Sequence, residues 1–334
     1  MSASIAIVGA TGAVGQEFLT VLAERRFPIK SLKLLASAKS AGKTVEFLGK
    51  TYTVEELTKD SFKGVQIAFF SAGGSISKEF APAAVAAGAV VVDNTSYFRM
   101  KDGIPLVVPE VNPEQIHRHN GIIANPNCST IIMNVAVWPL YKANRIRRII
   151  VSTYQAVSGA GAQGLYDLEQ QMKSHTAGEP ITKHLFPHQI VNNLFSHNTR
   201  INESGYNEEE LKMVNETRKI FGDPKIMVTA TCIRVPIPRA HCESINLEFE
   251  RPITPEQVRQ ILSKAPGVRI VDDRDKNHFP MPLEASGQDD VLVGRIRQDI
   301  SRDDGKGIEI FVSGDQIRKG AATNAVQIGE KLVG

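Results

Sequence analysis

Near its N-terminus the chain runs from a short apolar segment, Ile5-Ala-Ile-Val8, directly into Gly9-Ala-Thr-Gly-Ala-Val-Gly15 and then into an amphipathic stretch ending near Arg26. Read by periodicity this is strand, glycine turn, helix. The spacing is G-x-x-G-x-x-G, not the more familiar G-x-G-x-x-G, and its weight comes from its context between a strand and a helix. Glycines there let the backbone approach a pyrophosphate, and the helix N-terminus attracts its negative charge. A unit of this kind needs parallel neighbours, and the sequence supplies them. Ser31–Ala36, Val65–Phe70 and Ala89–Val92 read as strands, and Ser71-Ala-Gly-Gly74 opens a second helix reaching about Ala87. The expectation is an α/β Rossmann-like dinucleotide-binding domain with a parallel sheet.

From about Arg145 the texture changes. Strand-like runs at 148–155, 226–234, 244–249, 291–296 and 308–312 are not each separated by a helix; helical patterns fall near 161–175, 207–221 and 255–263. This predicts an α+β domain on a mostly antiparallel sheet. A length of 334 residues suits two domains, here 1–127 and 128–314, with one helix over 315–333 packing back on the first. A chain that crosses twice between domains points to an active site where they meet.

Composition narrows the class. The chain is 42% apolar and 22% charged, which suits a folded core. A net charge of +3 without a Lys/Arg run gives no case for nucleic acid, and no apolar run is long enough to span a bilayer. Three cysteines without paired spacing, and an N-terminus lacking the pattern of a signal peptide, suit a soluble cytoplasmic protein.

The strand end at Ala36-Ser-Ala-Lys-Ser-Ala-Gly42 lacks the acid that holds the ribose hydroxyls in NAD-specific folds. Ser37, Lys39 and Ser40 offer hydroxyls and a positive charge suited to a 2′-phosphate, so NADP is expected over NAD. Among the cysteines, Cys128 lies in Asn125-Pro-Asn-Cys-Ser-Thr130 at the start of an apolar helix-like stretch, where backbone N–H groups and the helix dipole stabilise a thiolate. Cys232 sits in an apolar strand and reads as a small buried hydrophobe, while Cys242 has no helix start behind it. No second ligand pair accompanies Cys232, His241 and Cys242, so no metal site is expected. Arg234, at the end of an apolar strand, calls for an anionic partner: a substrate carboxylate or an internal salt bridge. His241 follows a segment stiffened by Pro236 and Pro238, whereas His117, His119, His175, His184, His188, His197 and His278 fall in polar loops and read as surface.

Together with Asp93-Asn-Thr-Ser-Tyr-Phe-Arg-Met100, Val107-Val-Pro-Glu-Val-Asn112, Gln155-Ala-Val-Ser-Gly-Ala-Gly161 and Arg234-Val-Pro-Ile-Pro-Arg-Ala-His241, these motifs occur in order from the N-terminus to Gly320 and resemble aspartate-semialdehyde dehydrogenase. The resemblance implies a cytoplasmic, homodimeric enzyme of lysine, threonine and methionine biosynthesis. Its reaction is the NADPH-dependent reductive dephosphorylation of L-aspartyl 4-phosphate. It implies that Cys128 is the thioester-forming nucleophile, His241 the general acid/base and Gln155 an orienting group. It assigns the phosphate to Arg99 and Lys212, the substrate carboxylate to Arg234, its amino group to Glu209, and help with the oxyanion to Asn127. Gly9, Thr11, Gly12, Ala13, Val14, Lys39, Ser40, Ser158, Gly159 and Gln316 are implied for the cofactor. Tyr97 departs from the smaller residue associated with that segment, while Arg99 is intact. A phosphorylating reductase of another acyl phosphate, of the N-acetylglutamyl type, would share the thiol and cofactor logic without needing Glu209. A non-catalytic dinucleotide-binding protein would not need Cys128, Gln155, Arg234 and His241 together.

Overall fold

The computed structural model describes residues 2–334. The chain divides into two compact units, one of Met1–Asn127 with Ala321–Gly334 and one of Cys128–Gly320.

The first unit opens with β1 (Ala3–Val8), α1 (Ala13–Glu24) and β2 (Ile29–Ala36). A hairpin follows, β3 (Thr44–Phe47) and β4 (Lys50–Glu56), and then β5 (Ile67–Phe70), α2 (Gly74–Ala86), β6 (Val90–Asp93) and β7 (Ile122–Ala124). The strands order as β3-β4-β2-β1-β5-β6-β7, parallel throughout except for the antiparallel β3–β4 edge pair. The hairpin has no counterpart in the sequence reading. It buries only Phe47 and Val54 firmly, so its alternation is faint. Its turn, Leu48-Gly49, has positive φ at both residues (49° and 73°), as the tight turn between twisted strands requires.

The second unit begins with α3 (Cys128–Ala143), followed by β8 (Ile146–Gln155), α4 (Ala162–Ala177), β9 (Phe195–Ser196), α5 (Glu208–Phe221), β10 (Met227–Arg234) and β11 (His241–Phe249). It continues through α6 (Pro255–Leu262), β12 (Val268–Ile270), α7 (Pro282–Ala285), β13 (Val291–Gln298) and β14 (Gly307–Gly314). The sheet order is β12-β13-β14-β11-β8-β10-β9, antiparallel except at β12–β13 and β8–β10. The β8–β10 register sets Gln155 level with Arg234 at the same sheet end.

The tail is not a single helix from Asp315. The Asp315 carboxylate accepts the backbone N–H groups of Ile317 and Arg318 (2.9 and 3.1 Å), which fixes a turn there. A π-helical turn, Arg318–Ala322, then leads into α8 (Thr323–Val333). Within the first unit Ala325, Val326 and Ile328 of α8 join the core of Ile5, Phe18, Leu34 and Phe69. A Cβ at Gly329 would lie 2.8 Å from the Phe69 ring, so glycine permits that packing.

Candidate active site

In the first unit the Gly9–Gly15 turn works through its backbone. Gly9 has φ +91°, and a Cβ on it would lie 2.6 Å from the Ser71 carbonyl oxygen. A Cβ on Gly15 would lie 2.2 Å from the Gly9 carbonyl oxygen. The glycines therefore permit the turn, β1, α1 and the start of the Ser71 loop to converge. Beside the turn lies a cleft of about 490 Å³, lined by Gly9, Thr11, Gly12, Ser37, Ser71 and Ile76 among others. Ala13 and Val14 open α1. Lys39 and Ser40 lie on the 3-10 turn Ala38–Ser40, and the Ser40 hydroxyl accepts from Thr11 Oγ1 at 3.4 Å. A backbone cradle, a helix start and hydroxyls converge on one cleft, as a dinucleotide requires. Glu56, at the end of β4, also lines it. Reading the end of β2 alone could not count that carboxylate.

Arg99 belongs to the same unit and is buried. Its Nε donates to the Asn125 carbonyl (2.9 Å) and its Nη2 to the Asn94 carbonyl (3.1 Å), so backbone oxygens aim the guanidinium. Asn125 and Asn127, from the same segment, are buried as well.

The remaining polar cluster is assembled within the second unit. Cys128 is the first residue of α3 and is partly exposed. Its Sγ lies 3.5 Å from Nε2 of His241, the first residue of β11. Nδ1 of that ring accepts the Ala156 N–H at 3.0 Å, so the neutral imidazole carries its proton on Nε2, facing the sulfur. Complete burial, and then the charge of Arg234, push the pKa of His241 down to about 3. His241 therefore meets the sulfur as a neutral N–H donor. The other two cysteines are buried, and burial raises both thiols, Cys242 to about 11. Of the three, Cys128 alone combines access with a helix start.

The residue before His241, Ala240, has φ +70°, an uncommon conformation for a side-chain-bearing residue. Its N–H donates to Gln316 Oε1 at 2.8 Å, while Gln316 Nε2 donates to the Ser158 hydroxyl. Ser158 and Gln316, expected at the cofactor, thus also brace the turn that delivers His241. Gly159 lies against the cluster, since a Cβ there would be 3.1 Å from Arg234 Nη1 and 3.3 Å from the His241 ring.

Gln155, at the end of β8, donates through Nε2 to the Ser129 hydroxyl (2.5 Å) and to Glu209 Oε1 (3.1 Å). Glu209 lies in the first turn of α5, where Asn207 and Glu210 form a reciprocal capping box. Its Oε2 accepts from Lys212 Nζ at 3.0 Å. The two are thus paired on one helix face, Glu209 4% exposed. Burial separates this pair from an ordinary surface ion pair. Arg234 is 2% exposed. Its Nη1 donates to the Ala156 carbonyl (2.6 Å), its Nη2 to His197 Nε2 (2.7 Å), and its Nε has no partner among the described residues. No carboxylate bonds to it there, so the internal salt bridge open from sequence is not what holds Arg234. A buried guanidinium with an open N–H is suited to an anionic ligand.

Two residues enter this site that the sequence reading did not select. His197, expected at the surface, sits on Arg234. The reason is β9, only two residues long, which pairs with Ile233 and Arg234 and carries the next residue to the site. A two-residue strand leaves no periodic trace. Gly320 backs the thiol, since a Cβ there would lie 2.9 Å from Cys128 Cβ.

Two family models match the chain: "Semialdehyde dehydrogenase, NAD binding domain" over residues 4–119 and "Semialdehyde dehydrogenase, dimerisation domain" over 137–319. A Synechocystis aspartate-semialdehyde dehydrogenase is 54% identical over 98% of this chain and 97% of its own length. The crystal structure of aspartate semialdehyde dehydrogenase II from Vibrio cholerae, complexed with ASA, superposes with a TM-score of 0.97 at 49% identity, covering 100% of this chain and 98% of that one. The Candida albicans aspartate semialdehyde dehydrogenase with NADP gives a TM-score of 0.78 at 26% identity, covering 100% and 99%. With both halves of the sequence matched and near-full coverage at more than half identity, the chain belongs to the aspartate-semialdehyde dehydrogenase family, oxidoreductases with a dinucleotide-binding domain that serve amino-acid biosynthesis from aspartate.

Proposed function

We propose that the chain reduces L-aspartyl 4-phosphate to L-aspartate 4-semialdehyde with NADPH, releasing phosphate, through a thioester on Cys128. The observation that carries this reading is the grouping of Cys128 and His241, 3.5 Å apart, with Gln155, the Glu209–Lys212 pair and Arg234 in one unit. The Vibrio cholerae relative complexed with ASA and the Candida albicans relative with NADP support the choice of substrate and cofactor.

In this reading Arg234 takes the substrate carboxylate, Glu209 its ammonium group, and Arg99 with Lys212 the phosphate. The Cys128 sulfur attacks the acyl carbon, the bond from carbon to the phosphate oxygen breaks, and the electron pair leaves with phosphate. The N–H groups at the start of α3, with Asn127, stabilise the acyl oxygen as it gains charge. Gln155 orients the acyl group. When bound, NADPH supplies the hydride that the thioester needs, and the Gly9–Gly15 cradle with Thr11, Ser37, Lys39 and Ser40 would hold it. On collapse of the thiohemiacetal the oxyanion left on carbon re-forms the carbonyl as the aldehyde, and the C–S bond electrons return to Cys128. The Nε2–H of His241 stabilises sulfur charge before attack and after collapse. In this reading His241 fills the acid/base role expected from sequence as a neutral Nε2–H donor, as with imidazoles kept neutral in other active sites.

The test is phosphate-dependent NADP reduction with L-aspartate 4-semialdehyde against N-acetylglutamate semialdehyde. The expected preference is for the free amino acid, which Glu209 recognises. Faster turnover of the acetylated substrate would overturn the reading. A homodimer in the cytoplasm belongs to the same proposal. The matched dimerisation domain and the exposed Tyr154, whose ring centroid is 6.2 Å from that of Phe311, support a second copy on the sheet face opposite His241. Sedimentation at the mass of a monomer would oppose it.

A further inference from the structure

The two groups assigned to the carboxylate and the amino group of the substrate are tied together by a segment with no assigned role. The His197 backbone N–H donates to the Cys232 carbonyl at 2.8 Å, which places the residue beside the end of β10. Its Nε2 accepts from Arg234 Nη2 at 2.7 Å. An arginine donates only, so the neutral ring holds its proton on Nδ1, which lies 3.3 Å from Thr199 Oγ1. That hydroxyl accepts the backbone N–H of Glu209 at 3.3 Å. A continuous path therefore runs from Arg234 through His197 and Thr199 to the first turn of α5. Arg234 is fixed at Nη1 by the Ala156 carbonyl and at Nη2 by His197, which leaves its buried Nε open. Burial, opposed by Glu209 and assisted by Arg234 and Lys212, brings the pKa of His197 down to about 4, so it accepts rather than repels at neutral pH.

We infer that His197, acting with Thr199, is a positioning residue that sets the span between Arg234 and Glu209 and thereby selects substrates bearing both a carboxylate and an adjacent amino group. The inference rests on the reaction proposed above. It concerns a different residue and makes a different demand: losing His197 should blunt recognition more than chemistry. In H197L the hydrogen bond that the charged Arg234 donates to the ring is lost and a carbon faces the guanidinium. The KM for aspartate semialdehyde should rise roughly tenfold to a hundredfold, with a smaller fall in kcat. Preference over 4-oxobutanoate, the same chain without the amino group, should shrink. H197Q retains an acceptor near the Nε2 position and should recover most of the loss.

The experiment measures KM and kcat for both aldehydes, and KM for NADP, in the unaltered enzyme, H197L and H197Q. Circular dichroism confirms folding. Unchanged discrimination in H197L, an equal rise in KM for NADP, or no recovery in H197Q overturns the inference alone. No phosphate-dependent turnover of aspartate semialdehyde by the unaltered enzyme overturns the reaction, and this inference with it.

Discussion

The two units hold their functional groups by different means. In the first, backbone holds backbone: Gly9 and Gly15 let strand, turn and helix converge, and carbonyls of Asn94 and Asn125 aim Arg99. In the second, side chains hold buried side chains: Gln155 on Glu209, His197 on Arg234, and Gln316 on Ser158. A backbone cradle tolerates many residues but not an added Cβ. A side-chain network tolerates backbone detail but not the loss of a partner, since a buried polar atom left alone costs about 1–3 kcal/mol.

Substitution separates the two. In C128A turnover should fall at least about 10⁴-fold, while NADP still binds to the first unit. Substantial residual activity would defeat the nucleophile assignment, and lost NADP binding would defeat the division of labour. G320A is subtler, because it adds one carbon 2.9 Å from Cys128 Cβ and leaves every polar group in place. A displaced thiol should lower kcat roughly a hundredfold with NADP affinity retained. A near-normal kcat would show that the start of α3 can yield. G9A should do the reverse. It forces a side chain onto φ +91° and into the Ser71 carbonyl, raising KM for NADP by about tenfold or more, with a stability loss of order 1–3 kcal/mol.

The same contrast decided what could be read from sequence. Gly9, Gly12 and Gly15 lie within seven residues, flanked by a strand and a helix, so unit and ligand class were legible at once. Cys128 was legible for a similar reason, since the helix start that serves it adjoins it in the chain. Arg234 was legible only as a question, a buried charge needing an anion. Its neighbour His197 was not legible at all, because 37 residues and a two-residue strand separate them. Gly320 meets Cys128 across an even longer separation. The β3–β4 hairpin and the true start of α8 were missed where a turn, and not periodicity, fixed the structure.

Acid should act on the second unit through its histidines. His241 and His197 titrate near pH 3 and 4 in the folded chain, against 6.5 when unfolded. The unfolded chain therefore takes up protons first as pH falls below about 6.5, and stability drops until the folded values are reached. The limiting slope is about 1.4 kcal/mol per pH unit for each histidine. Asp223 and Asp304, held below the usual carboxylate range, contribute only below about pH 4; above it the histidines are opposed by the buried Glu243 and Asp93, whose raised values favour the folded chain as pH falls. In E243Q, which removes the Glu243 titration, urea midpoints at pH 7, 5.5 and 4.5 should fall in that order. Constant midpoints in that variant would mean that the two rings are not both held neutral.

Alkali should act through Glu243, two residues beyond His241 in β11 and fully buried. Neither carboxyl oxygen has a partner among the described residues, and burial alone holds its pKa well above 4.5. An uncompensated carboxylate is not tolerated in such a place, so the group stays protonated in the folded chain. The sign is opposite to that of the histidines. Above pH 4.5 the unfolded chain sheds this proton while the folded chain keeps it, so stability is lost as pH rises toward the folded value. E243Q retains the shape and removes the titration, and Thr153, paired across the strands with an unpartnered hydroxyl, faces the new amide. The variant should match the unaltered chain near pH 4.5 and exceed it increasingly as pH rises toward the folded value, with little change in kcat. A variant less stable at every pH would show that the native carboxyl is charged and paired. The second unit's network would then extend one rank further into the sheet than its geometry indicates.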